Sequence, residues 1–478
     1  MEDAVQSNLG RRGVLKGAAV LGGAALIGPF GALSTRMAEA GSWRGSGYGP
    51  LSPVVDRTTG LELLRLPRGF EYMSFGWTGD PMTDGSPTPA VHDGMAAFNV
   101  RGRIHLVRNH ERSNGTPIGN GGIPTYDPTS AGGTTTVVFD PDGKRGRRDR
   151  GRWGRDSRSD ARDSGWDNDM GEYIETRPSL AGTIRNCAGG PTPWGSWLSC
   201  EETTVINGDK RHGYVFEVPA DGVSDARPII EMGRFSHEAT AIDNGGYVYL
   251  TEDAAPGGFY RFTPKSRRRL SAGGRLEMLA VKGEPRKNLR GAVGTGTVLP
   301  VEWVPIANPD PDAGNGVVQQ GLALGGAEFA RPEGLWFGNG LVYMSCTSGG
   351  AAGQGQIYAY DPRRMTLTCV FESPSGDVLN YPDNITVSPR GGLVLCEDGD
   401  GVEYLHGLSP KGEIFQFAAN NVTIPTGSPV NGITGNYTGS EWAGACFGSG
   451  YGRDFLFVNL QSPGITFAIT GPWRNGVL

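Results

Sequence analysis

Acidic residues recur at the ends of short apolar runs in this chain. Six runs turn polar in the same way: at Asn109 and Glu111, at Cys200, Glu201 and Glu202, at Glu252 and Asp253, at Thr347, at Glu397 and Asp398, and at Asn459. Three further segments open on an acid, at Glu238, Glu333 and Asp383. If equivalent strand ends meet, these carboxylates share one small volume. Like charges a few ångströms apart cannot all ionise unless cations neutralise them. Carboxylate and amide oxygens suit Ca²⁺, which takes about six to eight oxygen ligands. A thiolate at Cys200 suits iron, zinc or copper instead. The set therefore points to a transition metal together with calcium. Arg331 stands two residues before Glu333 and would share its face of a strand. A guanidinium there can hold an anion through two parallel hydrogen bonds.

Short strands must bring these ends together. The apolar runs at 104–111, 197–202, 247–253, 341–347, 393–398 and 455–461 alternate or continue as strands do. Several are preceded by a second element, at 237–243, 332–337 and 382–387, and several are followed by a third, at 213–218, 258–262, 356–360 and 413–417. Three to four strands per unit and six units predict an all-β fold. The expected architecture is a six-bladed β-propeller with long inserted loops and a metal cluster at one end of the central channel. An eight-stranded barrel needs fewer strands than these. Composition agrees: 78 Gly and 33 Pro in 478 residues are roughly twice the usual share and interrupt long helices.

A net charge of −6 gives no basis for a nucleic-acid partner. No GxSxG, HExxH or CxxC string is present. Acidic neighbours would raise the pKa of Cys200, which argues against a cysteine nucleophile. Period-two alternation turns His110 and His237 away from the axis, into packing or supporting roles. Cys346 and Cys396 read as core thiols.

The termini and one insert stand apart. Arg11-Arg12, an uncharged Ala/Gly/Leu stretch and Ala38-Glu39-Ala40 predict a cleaved twin-arginine signal over 1–40. The expected location is therefore periplasmic or secreted, with the twin-arginine translocase as a transient partner and no stable membrane anchor. Residues 142–172 alternate Arg and Asp with hardly an apolar side chain, and predict a disordered, solvated loop. The remainder, 41–478, is expected to be a single propeller domain and a monomer.

Taken together, several strings resemble the PhoX-type alkaline phosphatases of bacteria, of which this chain looks like a shorter member. They are Asn109-His110-Glu111, the run from Asn186-Cys187-Ala188-Gly189-Gly190 to Ser199-Cys200-Glu201-Glu202, Gly233-Arg234-Phe235-Ser236-His237-Glu238, Thr251-Glu252-Asp253-Ala254, Arg331-Pro332-Glu333-Gly334, Pro382-Asp383-Asn384 and the terminal Phe467-Ala468-Ile469-Thr470-Gly471-Pro472-Trp473. The resemblance implies a six-bladed propeller, twin-arginine export, and an Fe³⁺ and Ca²⁺ cluster that hydrolyses a small-molecule phosphate ester. On that pattern Cys200 is the iron thiolate, Glu201, Glu238, Asp253 and Glu333 are metal carboxylates, and Arg331 clamps the phosphate. Glu111, Asp383 and Asp398 complete the implied ligand set. Two other readings fit the acidic strand ends: a calcium-dependent lactonase or phosphotriesterase-like hydrolase, and a non-catalytic exported propeller held together by calcium.

Overall fold

A computed structural model describes residues 48–143, 170–428 and 430–478. The expected signal segment lies outside the described residues, as does most of the Arg/Asp-rich loop. The described chain is nearly all β, with 30 strands and one α-helix, Gly316–Ala323. Among the described residues no helix is long and apolar enough to cross a membrane.

Six strands organise the molecule: His92–Val100, Asn186–Pro191, His237–Ile242, Pro332–Gly338, Pro382–Val387 and Trp442–Gly450. Each begins an antiparallel meander that runs outward. Each also packs against the one before and the one after in the chain, and the last packs against the first, so the six form a closed ring. The strand Glu71–Phe75 completes the last meander by pairing with Ile465–Thr470, from Glu71 opposite Thr470 to Phe75 opposite Thr466. Joining an early strand to the final one ties the two ends of the ring together. The fold is thus propeller-like and all-β.

One feature departs from separate units of three to four strands. The strand Val298–Pro305 pairs with Gly274–Val281 on one side and Thr366–Glu372 on the other. Two meanders thereby merge into one nine-stranded sheet.

Residues just inside the start of five of the six inner strands are Gly or Ala because the ring is narrow there, with Asn384 the exception. A Cβ on Gly94 would lie 2.6 Å from the Ala188 Cα, and one on Gly334 would lie 2.3 Å from the Asp383 carbonyl oxygen. Only glycine allows backbones to approach so closely. Polar side chains between the sheets fix the spacing. Asn109 donates to the carbonyls of Cys187 and Ala188, each at 2.8 Å, and accepts from Trp197 Nε1 at 2.9 Å. Asn459 donates to the Asp93 carbonyl at 2.6 Å. Thr251 and Ser345 donate in the same way to the carbonyls of Glu333 and Asp383. Each of these side chains holds the backbone beside an acidic or thiol residue of the next meander.

Candidate active site

The same irregularity occurs near the start of all six inner strands: a register shift between each strand and its neighbour. A bulge re-aims the side chains next to it. Here the second residue of each inner strand is Asp93, Cys187, Glu238, Glu333, Asp383 or, in the sixth, Ala443. A repeated backbone hydrogen bond lies beside the bulge. The N–H groups of Glu111, Glu202, Asp253, Thr347, Asp398 and Gln461 donate to the carbonyls of Val91, Arg185, Ser236, Arg331, Tyr381 and Glu441, at 2.8 to 3.1 Å. One end of the ring therefore carries three sets of equivalent positions, and nine carboxyl side chains occupy them: Asp93, Glu111, Glu202, Glu238, Asp253, Glu333, Asp383, Asp398 and Glu441.

Two groups of side chains converge there. A sulfur or oxygen ligand atom from each of Cys187, Glu202 and Glu238 lies within 4.8 Å of the other two, and the same holds for Asp383, Asp398 and Glu441. Two arginines reach the acids. Arg331 Nε donates to Asp253 Oδ1 at 2.9 Å, and its Nη2 pairs with Glu333. Arg185 Nε donates to Glu111 Oε1 at 2.9 Å, and its Nη2 pairs with Glu202. Gln461 bridges Glu111 at 3.1 Å and Glu441 at 2.7 Å.

The electrostatics leave an excess of acid. Burial, and then neighbouring carboxylates, push Asp93, Glu238, Glu333 and Glu441 well above the ordinary carboxylate range. Burial also raises Asp383, lifts Asp398 to about 7, and lifts Glu202 to about 9 despite the opposing charge of Arg185. The Cys187 thiol is raised by burial and by the acids around it. Glu238 Oε2 and Asp93 Oδ2 are buried and have no hydrogen-bond partner. Such atoms cost free energy unless something satisfies them. A soft sulfur beside hard oxygens, with unsatisfied carboxylate oxygens aimed at the same place, fits multivalent cations.

The structure brings Glu111, Glu238, Asp253, Glu333, Asp383, Asp398 and Arg331 to this end of the ring. It does not bring Cys200 or Glu201. Cys200 lies on the same face of its strand as Glu202 but two residues deeper, fully buried among Leu198, Val215 and Leu250. It occupies the slot that Asn109, Thr251, Ser345 and Asn459 use in the other meanders to hold the next sheet. The sulfur in the cluster is Cys187, and the acid is Glu202. Glu201 points the other way, as period-two alternation requires. It accepts from His212 Nδ1 at 2.6 Å and from the N–H groups of Ile184, Gly213 and Tyr214 at 2.8 to 3.2 Å. His212 in turn reaches Asp127 Oδ2 at 3.3 Å, and burial of the side chains is complete or nearly so. Glu201 therefore anchors the loop after its strand. Glu201→Ala removes four hydrogen bonds from a buried network and is expected to destabilise the fold by about 3 kcal/mol. Thermal denaturation checks this, and metal content per folded chain is expected to stay unchanged.

Asp93, Glu441 and Arg185 had no place in the sequence-level set. In five of the six units the string is a bulged residue followed by Gly or Ala, as in Asp93-Gly94, Cys187-Ala188, Glu238-Ala239, Glu333-Gly334 and Ala443-Gly444; the remaining unit has Asp383-Asn384. Aligning the units on that string finds Asp93 and Cys187 directly. His110 and His237 do face away, bonded to Thr135 Oγ1 at 2.9 Å and the Gly233 carbonyl at 2.9 Å. All six cysteines are buried free thiols.

Comparison with known proteins speaks to the fold and the family. Among solved structures, Pseudomonas fluorescens PhoX in complex with vanadate, a transition state analogue, is similar at a TM-score of 0.61 and 17% identity, over 91% of this chain and 99% of that one. That level of identity speaks for the fold. Virginiamycin B lyase from Staphylococcus aureus (11% identity, 84% of this chain and 99% of that one, TM-score 0.41) and a gluconolactonase from Xanthomonas campestris (12%, 90% and 99%, TM-score 0.38) are more distant. No curated protein matches the chain. The family model described as alkaline phosphatase PhoX matches residues 46–464, nearly the whole of the described chain, and the protein belongs to that family of phosphoric ester hydrolases.

Proposed function

We propose that this chain is an exported phosphatase that hydrolyses phosphate monoesters, with diesters as a second class, at an iron–calcium cluster held by one end of a six-bladed propeller. The observation that carries this reading is the meeting of a thiol, two partnerless carboxylate oxygens and two arginines at one end of a PhoX-family fold. Cys187, Glu202 and Glu238 would hold Fe³⁺, because a sulfur suits a transition metal. Asp383, Asp398 and Glu441 offer only oxygens and would hold Ca²⁺. Asp93, Glu111, Asp253 and Glu333 complete the acidic surround. When bound, the ions supply Lewis-acid polarisation of the phosphate oxygens and offset charge that develops in hydrolysis. Residues 1–40 serve as a twin-arginine signal in this reading, and 41–478 act as a monomeric unit in the periplasm or medium.

The chain's own residues then have separable tasks. Arg331 binds the non-reacting phosphate oxygens through its remaining N–H groups. Asp253, bonded at both Nε and Nη2, and Glu333 hold the guanidinium in place. Thr347 donates to Glu333 and so fixes the carboxylate beneath the guanidinium. A pre-positioned donor of this kind needs no reorganisation as charge builds up. Arg331→Ala is expected to lower kcat/KM for an aryl phosphomonoester by roughly 100-fold, as the loss of a charged, preorganised donor does. The proposal is tested by elemental analysis for iron and calcium on protein exported by its native route, with turnover of an aryl phosphomonoester and diester before and after chelation. Calcium without iron would favour the lactonase-like reading. Metal without turnover on either ester would favour a purely structural role.

A further inference from the structure

Arg185 ties Glu111 of one meander to Glu202 of the next, and its place in the repeat suits it to a second partner. It sits immediately before an inner strand, the position equivalent to Arg331 in another meander. In ring order the six equivalent residues are Val91, Arg185, Ser236, Arg331, Tyr381 and Glu441. The two arginines thus flank Ser236, the smallest of the six. Below Ser236 lies Glu238, and Cys187 and Glu202 stand beside it. Both arginine backbones are left-handed, with φ of 49° for Arg185 and 47° for Arg331. Val91 and Tyr381 share this conformation, at 56° and 51°. Four of the six equivalent residues thus share it, while Ser236 and Glu441 do not. Acids hold Nε and Nη2 of each guanidinium, and the side chains are 43% exposed at Arg185 and 36% at Arg331.

We propose that Arg185 is a second substrate-binding guanidinium, and that with Arg331 it grips a dianionic phosphoryl group seated over Ser236. This rests on the phosphatase reading given above. Two cationic forks around one small gap match a phosphomonoester, which offers three terminal oxygens and two negative charges. A diester offers two such oxygens and one charge, and cannot fill both forks. The assignment therefore names the substrate class as well as the residue. An Arg that only neutralised acids would be superfluous once cations occupy the cluster, whereas a substrate-binding Arg remains necessary.

The test uses the metal-loaded, full-length exported protein. Arg185→Ala is expected to raise KM for an aryl phosphomonoester roughly 10- to 100-fold, the loss of one charged bidentate contact, with kcat changed less than about threefold. Arg185→Lys, which keeps the charge but not the fork, should recover part of that loss. KM for an aryl phosphodiester should change less than about threefold. Inorganic phosphate supplies a readout independent of turnover: its stabilisation of the wild-type melting temperature should shrink in Arg185→Ala. Iron and calcium content should match wild type. Unchanged KM and unchanged phosphate stabilisation in an active, metal-replete variant would overturn the assignment, as would loss of metal from Arg185→Ala, which would make Arg185 a support of the cluster. Absence of turnover in the wild type on every ester would instead bring down the underlying phosphatase reading.

Discussion

Cys187→Ser is expected to remove the transition metal and reduce phosphomonoester turnover by more than about 100-fold, while Cys200→Ser keeps both. Loss of a group that only supports a ligand costs about 10- to 100-fold in affinity or activity, so loss of the ligand itself costs more. A serine hydroxyl is a hard, weakly acidic donor and cannot replace a thiolate for iron. Cys187 lies on the second residue of its strand, where the bulge turns it toward Glu202 and Glu238. The fold should survive the change, because the site's packing is polar and a Ser fills a Cys position. Cys200 presents the opposite case. Its surroundings are Leu198, Val215, Leu250 and other apolar side chains. Placing a hydroxyl there costs about 1–3 kcal/mol, which lowers the melting temperature without touching the cluster. Metal analysis, turnover and thermal denaturation on the two variants separate the roles. A Cys187→Ser protein with full iron and full turnover would sink the assignment, and so would a Cys200→Ser protein that folds normally but holds no iron.

The contrast between these two cysteines marks where sequence reading succeeds and where it stops. Repetition of acids at strand ends was legible because blade-like units repeat, and an average over units suppresses chance. Glu111, Asp253 and Asp398 follow from that pattern, as do Glu238, Glu333 and Asp383 at the opening of inner strands. The second meander was misread for a local reason. Cys200, Glu201 and Glu202 are three consecutive polar residues, and alternation sends Glu201 away from its two neighbours. Which of them faces the axis depends on where the strand ends, and that is set by pairing of Glu201 with Asn186. Pairing partners are a tertiary fact. Asp93, on one inner strand, and Glu441, immediately before another, were missed because those strands contain small residues, Gly94 and Ala443-Gly444, and lack the apolar signature of a strand. Those small residues exist because the ring is narrow, so the feature that hid the strands also shows where they lie. The nine-stranded sheet was illegible for the same kind of reason, since Val298–Pro305 joins sheets from two meanders. Five of its eight residues are apolar, yet nothing in them specifies the second partner.

The fold and the site are thus two consequences of one device. The bulge at the start of each inner strand lets backbones meet closely at the waist, and it also tilts the second residue toward the axis. A protein built this way accumulates charge at one end unless something neutralises it. Two arginines are too few for the acids that gather there. Ions complete the balance, and the fold's stability should depend on them.

Removal of the ions is accordingly expected to make stability fall as pH rises. Burial and mutual repulsion raise the affected carboxyls, Asp398 to about 7 and Glu202 to about 9, with Glu238, Glu333 and Asp93 also well above their ordinary range near ~4. A carboxyl whose pKa is higher in the folded state binds its proton more tightly there than in the unfolded chain. Its contribution to stability is fully present below the unfolded pKa and is lost as pH climbs through the folded one. Chelated protein should therefore be most stable near pH 5 and lose stability steadily between about pH 5 and 9. We expect its melting temperature to drop by more than about 10 °C across that interval. The metal-loaded protein should change much less, because cations occupy the place of the protons and keep the carboxylates neutralised at both pH values. Differential scanning calorimetry of loaded and chelated samples at pH 5, 7 and 9 makes the comparison, with the loaded curve correcting for every other titrating group. A chelated protein that has lost its metal yet melts at the same temperature at pH 5 and pH 9 would mean that the acids of the ring do not repel one another, and the case for a cation-filled cluster would fall with that result.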